Sequence, residues 1–177
     1  PFGLVLPSGE LTVELRAADD AILADVAPTL LSMMGIPVPD GMTGKRRGAF
    51  QRVYGKVVMV VLDGWGIGID NPAMNPIATA NTPCMDRIAE SGLYTTLAAA
   101  GTAVGLPEGR SGNSETGHLT LGAGRVVPQD EARIAQAIMS GGLKTNEAVN
   151  YGFESANKHG GDVHVIMMLS GRSSHGN

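Results

Sequence analysis

The apolar run from Val57 to Leu62 in KVVMVVLDG (56–64) constrains the fold more than any other stretch. Six apolar residues in a row, four of them valine, leave no polar face to turn toward water. The pattern predicts a parallel strand buried on both faces and ended by Asp63 and Gly64. Strands of that kind sit in α/β proteins, between layers of helices.

The remaining pattern agrees with that class. ELTVELR (10–16) alternates like a half-exposed strand, and LYTTLAA (93–99) and DVHVIMMLS (162–170) read as further strands. DVAPTLLSMMG (25–35) carries the punctuation of a helix, with Asp25 able to cap, Pro28 tolerated in the first turn and Gly35 able to take a left-handed end. Thr82-Pro83 opens a helix through CMDRIAES that Gly92 closes, and QDEARIAQAIMS (129–140) and NEAVNYGFESANKH (146–159) predict two more. PVPDGMTGKRRGAFQ (37–51) reads as a connection, with a segment boundary near 46–55. No internal repeat or low-complexity tract appears.

Length and composition bound the possibilities. A chain of 177 residues suits one domain, or one and a fraction. Apolar residues make up 43% and aromatics 4%, which predicts an aliphatic core, while 25 glycines and 10 prolines suit an α/β protein with long functional loops. The net charge is −4, and the triplet Lys45-Arg46-Arg47 is too short to argue for nucleic acid; a solvated linker is the expectation. One cysteine, Cys84, excludes an internal disulfide framework. No apolar run reaches membrane-spanning length and no signal-peptide pattern opens the sequence, so a soluble cytoplasmic protein without membrane partners is expected.

Chemistry concentrates in two places. Asp63 stands at the end of the predicted strand, where α/β sheets collect functional groups, and could offer oxygen to a divalent cation; it could equally be a turn aspartate. GNSETGH (112–118) sets Ser114 between Gly112 and Gly117. Serine needs a base or a metal to become a nucleophile, and a helix start suits an incoming phosphate. By spacing alone, the more ordinary reading is that Ser114 or Asn113 caps a helix. His118 and His164 read as structural, His159 as a helix-end residue, and Cys84 and Trp65 as packed. GRSSHGN (171–177) places Arg172 and His175 after a strand, in an anion-binding loop or an exposed end. No Walker motif and no GxGxxG fingerprint is present.

KVVMVVLDGWG (56–66), NPIATANTPCMDRI (75–88), VGLPEGRSGNSETGHLTLGAGRVVPQDEARI (104–134) and the loop at 169–175 together resemble the N-terminal part of cofactor-independent phosphoglycerate mutases, of the alkaline phosphatase superfamily. The resemblance implies that Ser114 is transiently phosphorylated. It implies that Asp63 and Ser114 share a Mn²⁺ or Mg²⁺ ion, one of two in an intact site, and that His175 contacts substrate. No 2,3-bisphosphoglycerate is implied. Phosphate would pass from 3-phosphoglycerate to the serine and return to the 2-hydroxyl, a glycolytic isomerisation. Family members usually read QMGNSEVGH against RSGNSETGH here, and LSDGGVHSH against LSGRSSHGN, so His175 rests mainly on spacing.

LADVAPTLLSMMGIPVPDGMTGK (23–45) resembles the opposite end of the same family. The order is therefore tail first, then head, as in a circular permutation, a fused or misassembled gene, or an engineered chain. The implied fold is an incomplete alkaline-phosphatase-like three-layer sheet with helices on both faces. Residues 1–48 would be its C-terminal-like piece, 49–125 its N-terminal-like piece, and 126–177 the start of an inserted transferase-like domain. The family's second metal site and its substrate-gripping arginines fall in the part between, and residues 1–45 contain no histidine to replace them. The expectation is a partial mutase, inactive alone, with self-association or a complementing fragment as partner. A non-catalytic scaffold or binding fragment is the alternative, and a minimal metal-dependent phosphatase a further one.

Overall fold

A computed structural model describes residues 1–6, 20–50, 53–69, 71–91 and 93–166. The chain opens with β1 (Phe2–Gly3). A 3₁₀ turn over Leu23–Asp25 leads into α1 (Val26–Met33). There follow α2 (Pro76–Thr79), α3 (Pro83–Glu90) and β2 (Tyr94–Thr95). After a 3₁₀ turn at Gly101–Val104 come α4 (Ser114–Ala123), α5 (Asp130–Met139) and α6 (Glu147–His159). None of the described helices is long and apolar enough to cross a membrane.

Helices follow their local signals. Pro28 lies in the first turn of α1, and Gly35, with φ of +65°, closes it in the left-handed conformation. Pro83 is the first residue of α3. The Asn146 side chain caps α6 by accepting the Val149 N–H at 3.1 Å. Asp25 departs from its expected role: its side chain makes no cap for α1 and serves elsewhere.

The sheet is small. β1 and β2 pair antiparallel, Phe2 opposite Thr95, and Leu4 N–H extends the contact to Leu93 O at 2.9 Å. Three residues beyond β2, Ala98 bridges Ile22 in parallel, its N–H bonded to Ala21 O at 2.7 Å. The predicted strand 93–99 is thus a two-residue strand and a bridge. Residues 161–166 form no regular element, 167–170 lie outside the described residues, and so does the predicted strand at 10–16.

The run 57–62 is where expectation and structure part. It is extended but belongs to no strand, and Val58 and Val60 are 85% and 73% exposed. A central parallel strand is defined by neighbours on both edges. Among the described residues none pairs with it, so its apolar faces meet solvent. Only Val57 packs, with Phe50, Tyr54 and Leu93, on the small cluster around Leu4 and Met33.

The main core joins residues 21–29 to residues 104–120. Ala21, Ala24, Val26, Pro28 and Thr29 are buried on one side, and Val104, Leu106, Thr116 and Thr120 on the other. Within it lies a charged network. Asp25, 2% exposed, accepts from Arg47 Nε at 2.7 Å, Lys45 N–H at 2.6 Å and Ile22 N–H at 3.0 Å. Thr29 Oγ1 donates to Asp25 O at 2.6 Å and accepts the Arg47 N–H at 3.0 Å. Arg47 also donates to Asp20 at 3.0 Å, and Lys45 pairs with the same carboxylate. Burial works against the Arg47 charge, but the hydrogen bonds to Asp20 and Asp25 outweigh it and raise its pKa. Arg47 is therefore no part of a solvated linker: it is 4% exposed, because two carboxylates and the Thr29 hydroxyl supply what water would.

Candidate functional site

Two turns bring the candidate residues together. Asp63 sits in a tight turn closed by Trp65 N–H on Leu62 O at 3.0 Å, and Gly64 takes φ of +78° at the third position, where a side chain would be strained. The second turn leads into α4. A β-carbon on Gly112 would lie 2.0 Å from Ala99 O, so only glycine lets the 111–113 segment pass that backbone. Gly117 has no such role: a β-carbon there would meet Leu23 at an ordinary 3.5 Å.

The cap of α4 answers whether Ser114 is structural. Asn113 holds the cap position, its side-chain oxygen accepting Thr116 N–H at 2.9 Å, while its own N–H reaches Thr116 Oγ1 at 3.4 Å. Ser114, the first helical residue, is released from that duty. Its Oγ donates to Asp63 Oδ2 at 2.8 Å, across 51 positions of sequence. Both side chains are exposed, and the positive end of the α4 dipole faces the hydroxyl.

His118 stands one turn along α4, with Nδ1 3.3 Å from Ser114 Oγ and 2.8 Å from Ser114 O. From sequence it reads as structural; the spacing of four residues from Ser114 on a helix sets it on the same face. In the loop before α4, Gly101 N–H bonds Arg110 O at 2.9 Å. Arg110 is tied to Glu131 at the foot of α5, at 2.9 Å.

His175 and Arg172 lie outside the described residues. His159 ends α6 as expected, whereas His164 is exposed and in no strand. Cys84 is exposed rather than packed, and Trp65 is half-buried.

The donor set decides how much of a metal centre is here. Asp63 and Ser114 offer oxygens, the type a hard divalent cation takes, but such a cation takes about six. Among the described residues no group of three or more His, Cys, Asp or Glu side chains stands together. Asp63 and Ser114 place two such oxygens side by side, well short of a full set.

Comparison with known proteins adds independent information. The chain matches the family described as the metalloenzyme superfamily over residues 55–162, a span containing Asp63, Ser114 and His118. It is 45% identical over 120 residues to a 2,3-bisphosphoglycerate-independent phosphoglycerate mutase of Haloquadratum walsbyi, covering 68% of this chain and 24% of that protein. The enzyme of the same name from Acaryochloris marina is 47% identical over 114 residues, covering 64% of this chain and 21% of its own length. The chain thus spans about a quarter of the length of the curated relatives it matches. No solved structure matches it.

Proposed function

The chain belongs to the metalloenzyme superfamily, and we propose that it is a rearranged or partial 2,3-bisphosphoglycerate-independent phosphoglycerate mutase in which Ser114 accepts the phosphoryl group. The observation that carries this is the 2.8 Å bond from Ser114 Oγ to Asp63 Oδ2, with the cap of α4 assigned to Asn113. A serine used only as a cap would turn its oxygen to the helix; this one turns it outward, beside a carboxylate.

In the complete protein the reaction is the interconversion of 3-phosphoglycerate and 2-phosphoglycerate, a cytoplasmic step of glycolysis. A bond forms from Ser114 Oγ to phosphorus as the bond from phosphorus to the 3-oxygen of glycerate breaks. The reverse transfer delivers phosphate to the 2-oxygen. Asp63 orients the hydroxyl by accepting its hydrogen bond; the serine proton leaves as the new bond forms, the departing 3-oxygen takes up a proton, and the start of α4 favours the negative charge on the phosphoryl group. Two Mn²⁺ or Mg²⁺ ions would be held in the whole site, with ligands beyond Asp63 and Ser114 that the described residues do not supply. Arginines would grip the carboxylate and phosphate of the substrate, and a three-layer sheet would cover Val58 and Val60. The chain alone is accordingly inactive.

Trapping tests this reading. The chain is mixed with the remaining part of a mutase, Mn²⁺ and 3-phosphoglycerate, then quenched in acid, and Ser114 is expected to carry phosphate by tandem mass spectrometry. Turnover in the same mixture with no phosphate on Ser114 would overturn it. A second reading, a non-catalytic scaffold, draws on the incomplete donor set at Asp63; it predicts no turnover and no phosphoserine in any mixture. A minimal phosphatase would instead release inorganic phosphate.

A further inference from the structure

His118 is absent from the roles discussed so far, yet its ring nitrogen is the nearest polar atom to Ser114 Oγ after Asp63 among the bonds described. Nδ1 lies 2.8 Å from Ser114 O. A carbonyl oxygen can only accept, so at that distance Nδ1 must carry the hydrogen. Ser114 Oγ has its own hydrogen committed to Asp63. At 3.3 Å from Nδ1, the hydroxyl oxygen can therefore only be the second acceptor of a shared N–H.

We propose that His118 is a positioning residue for Ser114: its Nδ1–H, shared between the carbonyl and hydroxyl oxygens of Ser114, holds the hydroxyl in the one rotamer that points its O–H at Asp63. The serine oxygen is then held from both sides, donating to Asp63 and accepting from His118, and its remaining lone pair faces outward. A serine at the start of a helix otherwise has several staggered wells open to it. The meaning of this for phosphoryl transfer rests on the reading of Ser114 as acceptor, but the orientation itself does not.

Nuclear magnetic resonance on the full chain tests it without requiring activity. In the wild type with the ring neutral, ¹⁵N shifts are expected to show hydrogen on Nδ1, and the two Hα–Hβ couplings of Ser114 are expected to be unequal, as for one rotamer. His118→Asn, whose amide nitrogen can occupy the place of Nδ1, is expected to keep the couplings unequal. His118→Gln and His118→Ala are expected to make them nearly equal through averaging. His118 is exposed, so its removal leaves the core intact. Hydrogen on Nε2 alone, or couplings unchanged in all three variants, would overturn the inference. Neither result bears on whether Ser114 is phosphorylated, which trapping reads separately.

Discussion

At the scale of single residues, burial separates two ion pairs that look alike in sequence. Arg47 and Asp25 are 5% and 2% exposed in their side chains, whereas Lys45 and Asp20 are 68% and 55% exposed. Arg47→Ala strips a buried carboxylate of its cation, and is expected to cost about 3–5 kcal/mol in urea unfolding. Lys45→Ala touches an exposed pair and is expected to cost about 0–1 kcal/mol. Asp20 has its pKa lowered to about 2, first by the hydrogen bond from Lys45 and then by that from Arg47. A carboxylate held below its unfolded value of about 3.9 binds fewer protons folded than unfolded. Its contribution is therefore full above about pH 4 and is lost as pH falls through about 2. Asp20→Asn is expected to flatten the stability profile between those limits, and an unchanged profile would count against the assignment. None of this was legible in Lys45-Arg46-Arg47, which reads as a solvated triplet. What buries Arg47 is Asp25, 22 positions away.

At the scale of elements, the loop before α4 and the helix itself respond differently to the same change. Gly112→Ala puts a methyl 2.0 Å from Ala99 O, and the loop that delivers Ser114 must shift. Loss of the Ser114–Asp63 bond is expected, read by the Ser114 couplings, together with lower stability. Gly122, inside α4, has open space around the same methyl. Gly122→Ala is expected to stabilise by about 0.5–1 kcal/mol, through helix propensity alone. Helices were the most legible elements because their signals are local: Pro83 at the start of α3, Asn146 before α6 and Gly35 after α1 act within a turn or two. The site was less so. No periodicity links Asp63 to Ser114, and only the resemblance of DGWG and GNSETGH to one family joined them. His118 reads as structural from sequence, because a histidine four residues from a serine bears on it only once both are known to be helical.

For the whole molecule, apolar surface stays uncovered among the described residues: Val58, Met59, Val60, Val61 and Leu62 are exposed, as are Ile134, Ile138 and Met139 of α5. The run 57–62 misled because the burial of a strand is a property of its neighbours, which a sequence spanning a quarter of its relatives need not contain. An unpaired apolar segment without proline or charge invites pairing with another chain. Sedimentation velocity is expected to show concentration-dependent association that Val58→Lys with Val60→Lys reduces; a compact monomer across a wide concentration range would argue otherwise. By contrast, residues 20–47 and 94–124 share one core around Asp25 and α4.

The most direct test of the account is a mutase assay with Mn²⁺ and 3-phosphoglycerate, following 2-phosphoglycerate through enolase, on the chain alone and with the remaining part of a mutase supplied. The account predicts no turnover alone, and turnover in the mixture that disappears with Ser114→Ala. Turnover by the chain alone would mean that its residues complete the site, and turnover that survives Ser114→Ala would remove Ser114 from the chemistry.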